Sequence, residues 1–554
     1  MNSKHDVRKS AVETAKRAAF LVVSAVLLTL PLHGQQTAKD AASDASASAN
    51  QPASQQTQQE IVHELAAMKK RIAQLEAALA GQKTQEPQSL VSEAAPTKVV
   101  ESPTAASATG EAALSAPNAS HEAKPAKEEP FAFADWTWLN GNARTKTPAF
   151  DSKFFTPEIR ADIDYIYDLN HPKDDTIGGS SEVFRSNEFH VTQLGVGGDF
   201  HYDNVRAHLM TQFGLYSVTT PRNDASPARG QWDLANAYRY VSEAYGGYHF
   251  NALHGINVDA GIFMSYIGLF SYYNFDNWAY QPSYVSSNTP WFFNGLRVQI
   301  YPTAHLKIEP WIINGWQSYG RFNGRLGIGG QILWRPVGWF SILGNQYALG
   351  EDALNTPGRV RYHTDDSIEI KYYDHPEKWL SKAAFSLTGD MGCEHGGGVS
   401  CAGNSTQIIG GRRVLAPKQD FLGFMLYNRL WFHKDLYGFT LGGGKINNPG
   451  RYLVLLPPIN AATAASGTPY FTENPGDPYK AWDASATFDY MPSQYITFRW
   501  EFDHRAANVP YFSGKNGITP PGGNTGAPGS LVAGFTPDLV KDENRFDLAI
   551  LVKF

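Results

Sequence analysis

From residue 156 to the end of the 554-residue chain, apolar and polar residues alternate with a period of two. Val205, Ala207, Leu209, Thr211, Phe213 and Leu215 fall on one face of such a segment, and Arg206, His208, Met210, Gln212 and Gly214 on the other. This is the side-chain pattern of an extended strand. Ile256, Val258, Ala260 and Ile262 alternate with Asn257, Asp259 and Gly261 in the same way, and Ile496, Phe498, Trp500 and Phe502 with Thr497, Arg499, Glu501 and Asp503. The pattern predicts sixteen strands, at 156–169, 188–201, 204–216, 237–250, 255–265, 293–302, 304–314, 324–335, 338–349, 365–374, 381–390, 420–432, 437–446, 481–491, 493–505 and 543–554. Most are about 10–14 residues long, more than a globular sheet needs and right for a strand tilted across a bilayer.

The connections alternate too. Those after even strands are short, such as 202–203, 302–303, 336–337, 433–436 and residue 492. Those after odd strands are usually long and rich in Gly, Pro, Asn and Ser, as at 170–187, 217–236, 266–292, 391–419, 447–480 and 506–542. Short turns on one rim and long loops on the other describe a transmembrane antiparallel β-barrel of the bacterial outer membrane, with about 16 strands (14–18) and both ends on the periplasmic side. In the closing strand, Phe546, Leu548, Ile550, Val552 and Phe554 form one apolar face. A barrel must leave no unpaired edge in lipid, so this strand is read as the closure and assembly signal, presented to the barrel-assembly machinery.

The part before the barrel is different in kind. Residues 1–34 read as a secretory signal peptide, with Lys4, Arg8, Lys9, Lys16 and Arg17 ahead of an apolar run at 18–32. A low-complexity linker at 35–59 follows. Within 60–81, Ile61, Leu65, Met68, Ile72, Leu75 and Leu79 recur at spacings of four and three, the seam of a short coiled coil that needs partner helices, most simply copies of itself. Residues 82–130 are rich in Pro, Ala, Ser and Glu, without the apolar content to order themselves, and are read as a disordered linker. The barrel domain is placed at 131–554, and the coiled coil and linker in the periplasm.

Composition narrows the function classes. With 47 basic and 53 acidic residues, a net charge of -6 offers no footprint for nucleic acid. Aromatic residues reach 13% while charged residues are held to 18%, and all Trp and Tyr lie after residue 130. Cys393 and Cys401 bracket a short segment of a long loop and are expected to form a disulfide in an oxidising compartment. A metal reading through His395 lacks ligands, so no metal and no cofactor is expected. His305, His363 and His504 are read as polar wall residues.

The segment Glu543-Asn544-Arg545-Phe546-Asp547-Leu548 through Phe554, the stretch Tyr266-Ile267-Gly268-Leu269-Phe270 and the stretch Phe293-Asn294-Gly295-Leu296 resemble the OmpL-like group of β-barrel porins over roughly 131–554. The resemblance implies a signal-bearing outer-membrane pore. The coiled coil lies outside it and looks like the periplasmic trimerisation segments of other diffusion porins, which implies a homotrimer.

The expected mechanism is passive, selective diffusion of small hydrophilic solutes, sugars or small organic acids, through a water-filled lumen. In general porins the third loop folds inward, so the resemblance places 265–292 at the constriction, with Tyr266, Phe270, Tyr272, Tyr273, Trp278 and Tyr280 as ring faces for solutes. Asn274, Asp276, Asn277 and Gln281 would add directional hydrogen bonds. Arg206, Arg297, Lys307, Arg499 and Arg505 can face Glu309, Glu501 and Asp503 across the lumen and sort solutes weakly by charge, or pair along the wall and keep the interior wet. Two rival classes are a structural or adhesive barrel and a rim hydrolase. The chain shows no nucleophile elbow to support the second, so it is not read as an enzyme.

Overall fold

The computed structural model describes residues 129–177, 183–221, 224, 233–321, 325–350, 358–396, 400–401, 406–409, 412–415, 419–448, 479–516 and 538–554. The signal peptide, both linkers up to residue 128 and the coiled-coil seam fall outside them. Among the described residues, sixteen antiparallel strands close into one barrel, each paired with its neighbours in sequence and the last with the first. They are β1 (Phe155–Asp168), β2 (Phe189–Tyr202), β3 (Val205–Thr211), β4 (Val241–Phe250), β5 (Ile256–Met264), β6 (Phe292–Thr303), β7 (Leu306–Ile313) and β8 (Gly327–Val337). The circuit continues through β9 (Phe340–Leu349), β10 (Val360–Asp374), β11 (Leu380–His395), β12 (Asp420–Phe432), β13 (Tyr437–Asn448), β14 (Tyr479–Ser493), β15 (Ile496–Ala507) and β16 (Asp542–Lys553).

Each strand corresponds to one expected from the alternation, and the lengths differ where local backbone intervenes. The third was expected over 204–216 but ends at Thr211, where the register to β4 shifts; Gly214 then takes a φ of 93° and the chain turns into the helical segment Tyr216–Thr219. The fourth begins at Val241 rather than residue 237. β10 and β11 are longer than expected, because they pair without a break from Val360↔His395 through Lys371↔Ala384. Cys393 therefore lies inside β11 rather than in the loop, and it is joined to Cys401 by a disulfide.

The wall is inverted relative to a water-soluble sheet. In β16, Phe546, Leu548 and Ile550 are exposed on the outside while Glu543, Arg545 and Asp547 are buried in the lumen. β15 repeats this, with Trp500 outside and Arg499, Glu501, Asp503 and Arg505 inside. An apolar exterior with a polar interior is what lipid outside and water or polar protein inside select. Exposed aromatics mark the rim of short turns, with Tyr202, Trp339, Tyr372 and Trp379, and recur towards the other rim with Tyr362 and Trp482, as interfacial girdles do. Closure runs from Arg160↔Lys553 to Asp168↔Arg545, and Ile159 and Phe554 exchange backbone hydrogen bonds.

Residues 131–147, expected to be part of the barrel, carry no barrel strand and cross its short-turn mouth. The strap starts at the β6–β7 turn, where Phe131 N donates to Ala304 O at 2.8 Å. Trp136 lies under the Arg335 guanidinium, 4.7 Å from the ring centre. It ends at the β14–β15 turn, where Asn142 Nδ2 donates to Ser493 O at 3.0 Å and Thr145 Oγ1 to Gln494 O at 3.1 Å. The two turns are eight strands apart in a circuit of sixteen, so the strap spans the mouth.

Candidate functional site

The connection 265–291, between β5 and β6, leaves its own side of the barrel and makes a circuit of the lumen. Irregular backbone at membrane depth must find partners inside the protein, and here the opposite wall supplies them. Arg429 Nη1 on β12 donates to Trp278 O at 3.2 Å. On β15, Arg499 donates from Nη1 to Asn274 O at 3.1 Å and from Nη2 to Asn277 O at 2.7 Å, and Arg505 Nη2 donates to Pro282 O at 2.9 Å. Glu501 accepts from Tyr280 N and Gln281 N, both at 2.7 Å. Asp483 on β14 accepts from Ser283 Oγ at 2.8 Å and from Tyr284 N at 3.0 Å. The approach at Ser283 requires Gly444 on β13, since a Cβ there would stand 2.3 Å from Ser283 Oγ.

The arginine charges are balanced locally. Arg429 and Arg499 share Asp489, each at 2.7 Å, and Arg505 pairs with Asp503 at 2.7 Å. On the other side of the barrel, Arg206 and Arg297 share Asp259 at 3.2 and 2.9 Å, and Lys307 pairs with Glu309 at 2.7 Å. The charged residues picked from the sequence thus pair along the wall or hold the loop, and none of these ion pairs spans the lumen.

The polar loop residues expected to meet solute are instead bonded to protein. Asn274 Nδ2 donates to Asp162 Oδ2 at 2.9 Å, Asn277 bridges Ser271 N and Ser271 O, and Gln281 Oε1 accepts from Arg545 at 3.3 Å. Asp276 pairs with Arg160 at 2.8 Å and Lys553 at 3.3 Å. Burial pushes its carboxyl up, but those two cations outweigh burial and hold it below the ordinary carboxylate range. Because the docked value is the depressed one, this pairing contributes fully above the ordinary carboxylate pKa and is lost as pH falls through the depressed one. The contribution of this one contact to loop docking should therefore hold from neutral pH down to about pH 4 and fall below it, as the difference in channel noise between the native protein and Asp276→Asn in a conductance series against pH would show.

The aromatic candidates divide. Tyr266, Phe270 and Tyr272 line a cavity of about 300 Å³ between the loop and the wall, together with Arg297, Gln299, Lys307, Glu309, Trp311 and Gln331. Trp278 lines a second cavity of about 190 Å³, bounded also by the strap residues Leu139 and Asn140 and by Arg335 and Glu369. Tyr273 and Tyr280 line neither of these two. Their hydroxyls donate to Glu243 at 2.8 Å and to Asp162 at 3.1 Å, anchoring the loop to β4 and β1. Within the first cavity, Glu309 accepts from Lys307 Nζ, Gln299 Nε2 and Trp311 Nε1 at 2.7–2.9 Å, so its charge is spent on the wall. Arg297 stacks over Phe263 at 4.4 Å and Tyr245 at 4.7 Å. Of the charged side chains that line this cavity, Arg297 and Lys307 are cationic and Glu309 anionic, while Asp259 paired with Arg297 and Glu243 on β4 balance the wall as a whole.

Several residues of the site were not picked from the sequence: Arg160, Asp162, Tyr427, Arg429, Asp483 and Asp489 on the wall, and Trp138, Gly141 and Asn142 in the strap. The wall residues do fall on the inward set of their strands, which is the signal that could have found them. The strap meets the loop directly: Gly141 N donates to Asp276 O at 2.8 Å and Arg429 Nη2 to Gly141 O at 2.6 Å. Of the histidines, His363 lies inside between the rings of Trp316 and Phe421, and His305 sits at the β6–β7 turn. His504, read as a polar wall residue, lies on the outer face of β15, paired with Asn544 at 2.9 Å.

A lipid-facing closed barrel with a polar interior and a loop folded across it is the architecture of an outer-membrane porin. More particularly, residues 160–412 match the family described as "Putative beta-barrel porin-2, OmpL-like", which bears out the resemblance read from the sequence. Among solved structures, the chain is similar to the outer-membrane-expressed OmpT of Vibrio cholerae, at 10% identity over 73% of this chain and 99% of that one, with a TM-score of 0.40. It is similar to the outer-membrane channel DcaP of Acinetobacter baumannii at 12% identity, over 74% and 100% of the two chains, with a TM-score of 0.40. For the anion-selective porin from Comamonas acidovorans the figures are 10%, 72%, 99% and 0.40. No curated protein matches the chain.

Proposed function

We propose that the protein is a diffusion pore for small hydrophilic solutes, sugars or small organic acids, in which the loop 265–291 sets the selectivity, and that it works as a homotrimer held in part by the periplasmic coiled coil. The observation that carries this reading is the 300 Å³ cavity beside the inserted loop. Its volume suits a molecule of monosaccharide size. Ring faces from Tyr266 and Trp311 offer stacking surfaces, while Lys307 keeps N–H groups beyond its bond to Glu309 for a solute oxygen. Two cations, Arg297 and Lys307, line the cavity against one carboxylate, Glu309, which favours solutes carrying a carboxylate, and because Asp259 pairs with Arg297 the preference is weak.

Arg297→Ala tests the charge argument. Reversal potentials in a salt gradient should move from a weak anion preference towards none, by roughly 5–15 mV for a tenfold gradient. Block by a sugar acid should weaken about tenfold, while block by the matching neutral sugar changes little. An unchanged reversal potential with unchanged block would take the cavity out of the solute path.

A further inference from the structure

Two cations stand side by side on the lipid-facing side of the wall. Lys445 on β13 and Lys480 on β14 are exposed, while Ile446, Tyr479 and Ala481 next to them in sequence are buried, so both lysines point outward. The register sets Lys445 against Trp482 and Asn447 against Lys480. The lysines are therefore diagonal neighbours on adjacent strands, about 7–8 Å apart, and the exposed Asn447 lies beside both. Among the described residues neither ammonium group has an ion-pair partner, and the Asn447 side chain makes no hydrogen bond. The ladder neighbours carry no acid: Phe424 and Trp482 flank Lys445, and Asn447 and Asn508 flank Lys480. Asp542 is outward on β16, but two strands from Lys480, at least about 9 Å away.

Their depth in the bilayer follows from the opposite girdle. On these two strands the short-turn interface is marked by the paired rings of Tyr437 and Tyr490, and Lys445 and Lys480 stand eight and ten residues above them. A tilted strand crosses the hydrocarbon in about 9–11 residues. Both ammonium groups, on their flexible stems, therefore reach the headgroup level on the long-loop side, where the exposed Trp482 belongs to the upper girdle. Just below the lysines, Gly443, Ala484 and Ala486 are outward and small, and the exposed Leu441, Phe488 and Phe502 bound them. The surface thus offers two cations and an amide at headgroup level, above a shallow apolar seat.

We propose that Lys445, Asn447 and Lys480 bind one phosphate-bearing lipid of the outer leaflet. The phosphate sits between the two ammonium groups and accepts from the Asn447 amide, while an acyl chain of the same molecule lies over Gly443, Ala484 and Ala486. Charge complementarity carries the choice of occupant: two unpaired cations this close repel each other, and a phosphate with its charge of up to two neutralises both at once. A zwitterionic headgroup leaves one of them uncompensated. The site is on the outside of the wall and is independent of which solute the lumen passes.

Native mass spectrometry of the full-length protein in mild detergent, titrated with lipid A, tests the site. The native protein should take up one lipid A per chain, with an affinity about tenfold or more above that of Lys445→Ala combined with Lys480→Ala. Lys445→Arg with Lys480→Arg should bind as the native protein does, and lipid A stripped of its phosphates should bind native and double-alanine proteins equally weakly. Heat-modifiable migration of each variant separates lost binding from a lost fold. Equal affinity of the native and double-alanine proteins for lipid A would overturn the proposal, as would equal affinity of the native protein for the phosphorylated and stripped lipids. Displacement of the lipid by inorganic phosphate would overturn it in favour of a free-anion site. A double-alanine variant that keeps its lipid but drops in oligomeric mass would assign the lysines to a contact between copies instead.

Discussion

Excising residues 270–289 and joining the ends with a short Gly-Ser linker is expected to raise single-channel conductance about threefold or more, because a barrel of about 16 strands leaves an aqueous channel unless something fills it. What fills it here is the loop 265–291, whose Trp278, Tyr280, Tyr284 and Trp291 are all buried inside the wall. The variant should still form a barrel. Arg429, Arg499 and Arg505 lose carbonyl partners but keep Asp489 and Asp503, and a hydrated lumen resolvates the rest. Solute block should disappear along with the constriction. A conductance equal to that of the intact protein would mean that the loop does not narrow the path.

The second large effect is expected at the opposite rim. Gly141 sits where the strap crosses beneath the loop, and a Cβ there would stand 2.2 Å from Asn277 O and 2.6 Å from Phe275 O. Both are backbone atoms that cannot yield cheaply, so Gly141→Val should dislodge the strap from the mouth. Its bonds to Asp276 and Arg429 would go with it. Conductance should rise about twofold, less than for loop excision because the upper loop remains seated. Trp138→Ala with Asn142→Ala, which removes the buried anchor and the bond to the β14–β15 turn, should give the same phenotype without a clash. A strap that merely rests at the mouth would leave conductance unchanged in both variants.

How much of this was legible beforehand follows from the range of the interactions involved. The strands could be read because the wall imposes a local rule: each residue faces lipid or lumen according to its parity. Errors arose where that rule is suspended, as at Gly214, where the backbone leaves the sheet. The rings of the third loop stood out, but the path of the loop did not. That path is set by arginines on β12 and β15 reaching carbonyls more than 150 residues away in sequence, and no local pattern marks those acceptors. Asn274, Asp276 and Gln281 look like solute ligands in a sequence and prove to be bonded to the wall, because buried irregular backbone and its polar side chains must first satisfy each other. The strap was missed for a related reason. Its clustered Phe131, Phe133, Trp136 and Trp138 give neither strand nor helix periodicity, although aromatics appearing abruptly after a long linker do mark the start of ordered structure.

The most direct test of the pore itself is single-channel recording of the purified, full-length protein in a planar bilayer, with neutral sugars, sugar acids and phosphate added in turn. The account predicts discrete conductance steps grouped in threes, blocked by solutes of monosaccharide size and more strongly by those carrying a carboxylate. A barrel that inserts correctly, as shown by heat-modifiable migration, yet passes no current in any of these conditions would contradict it.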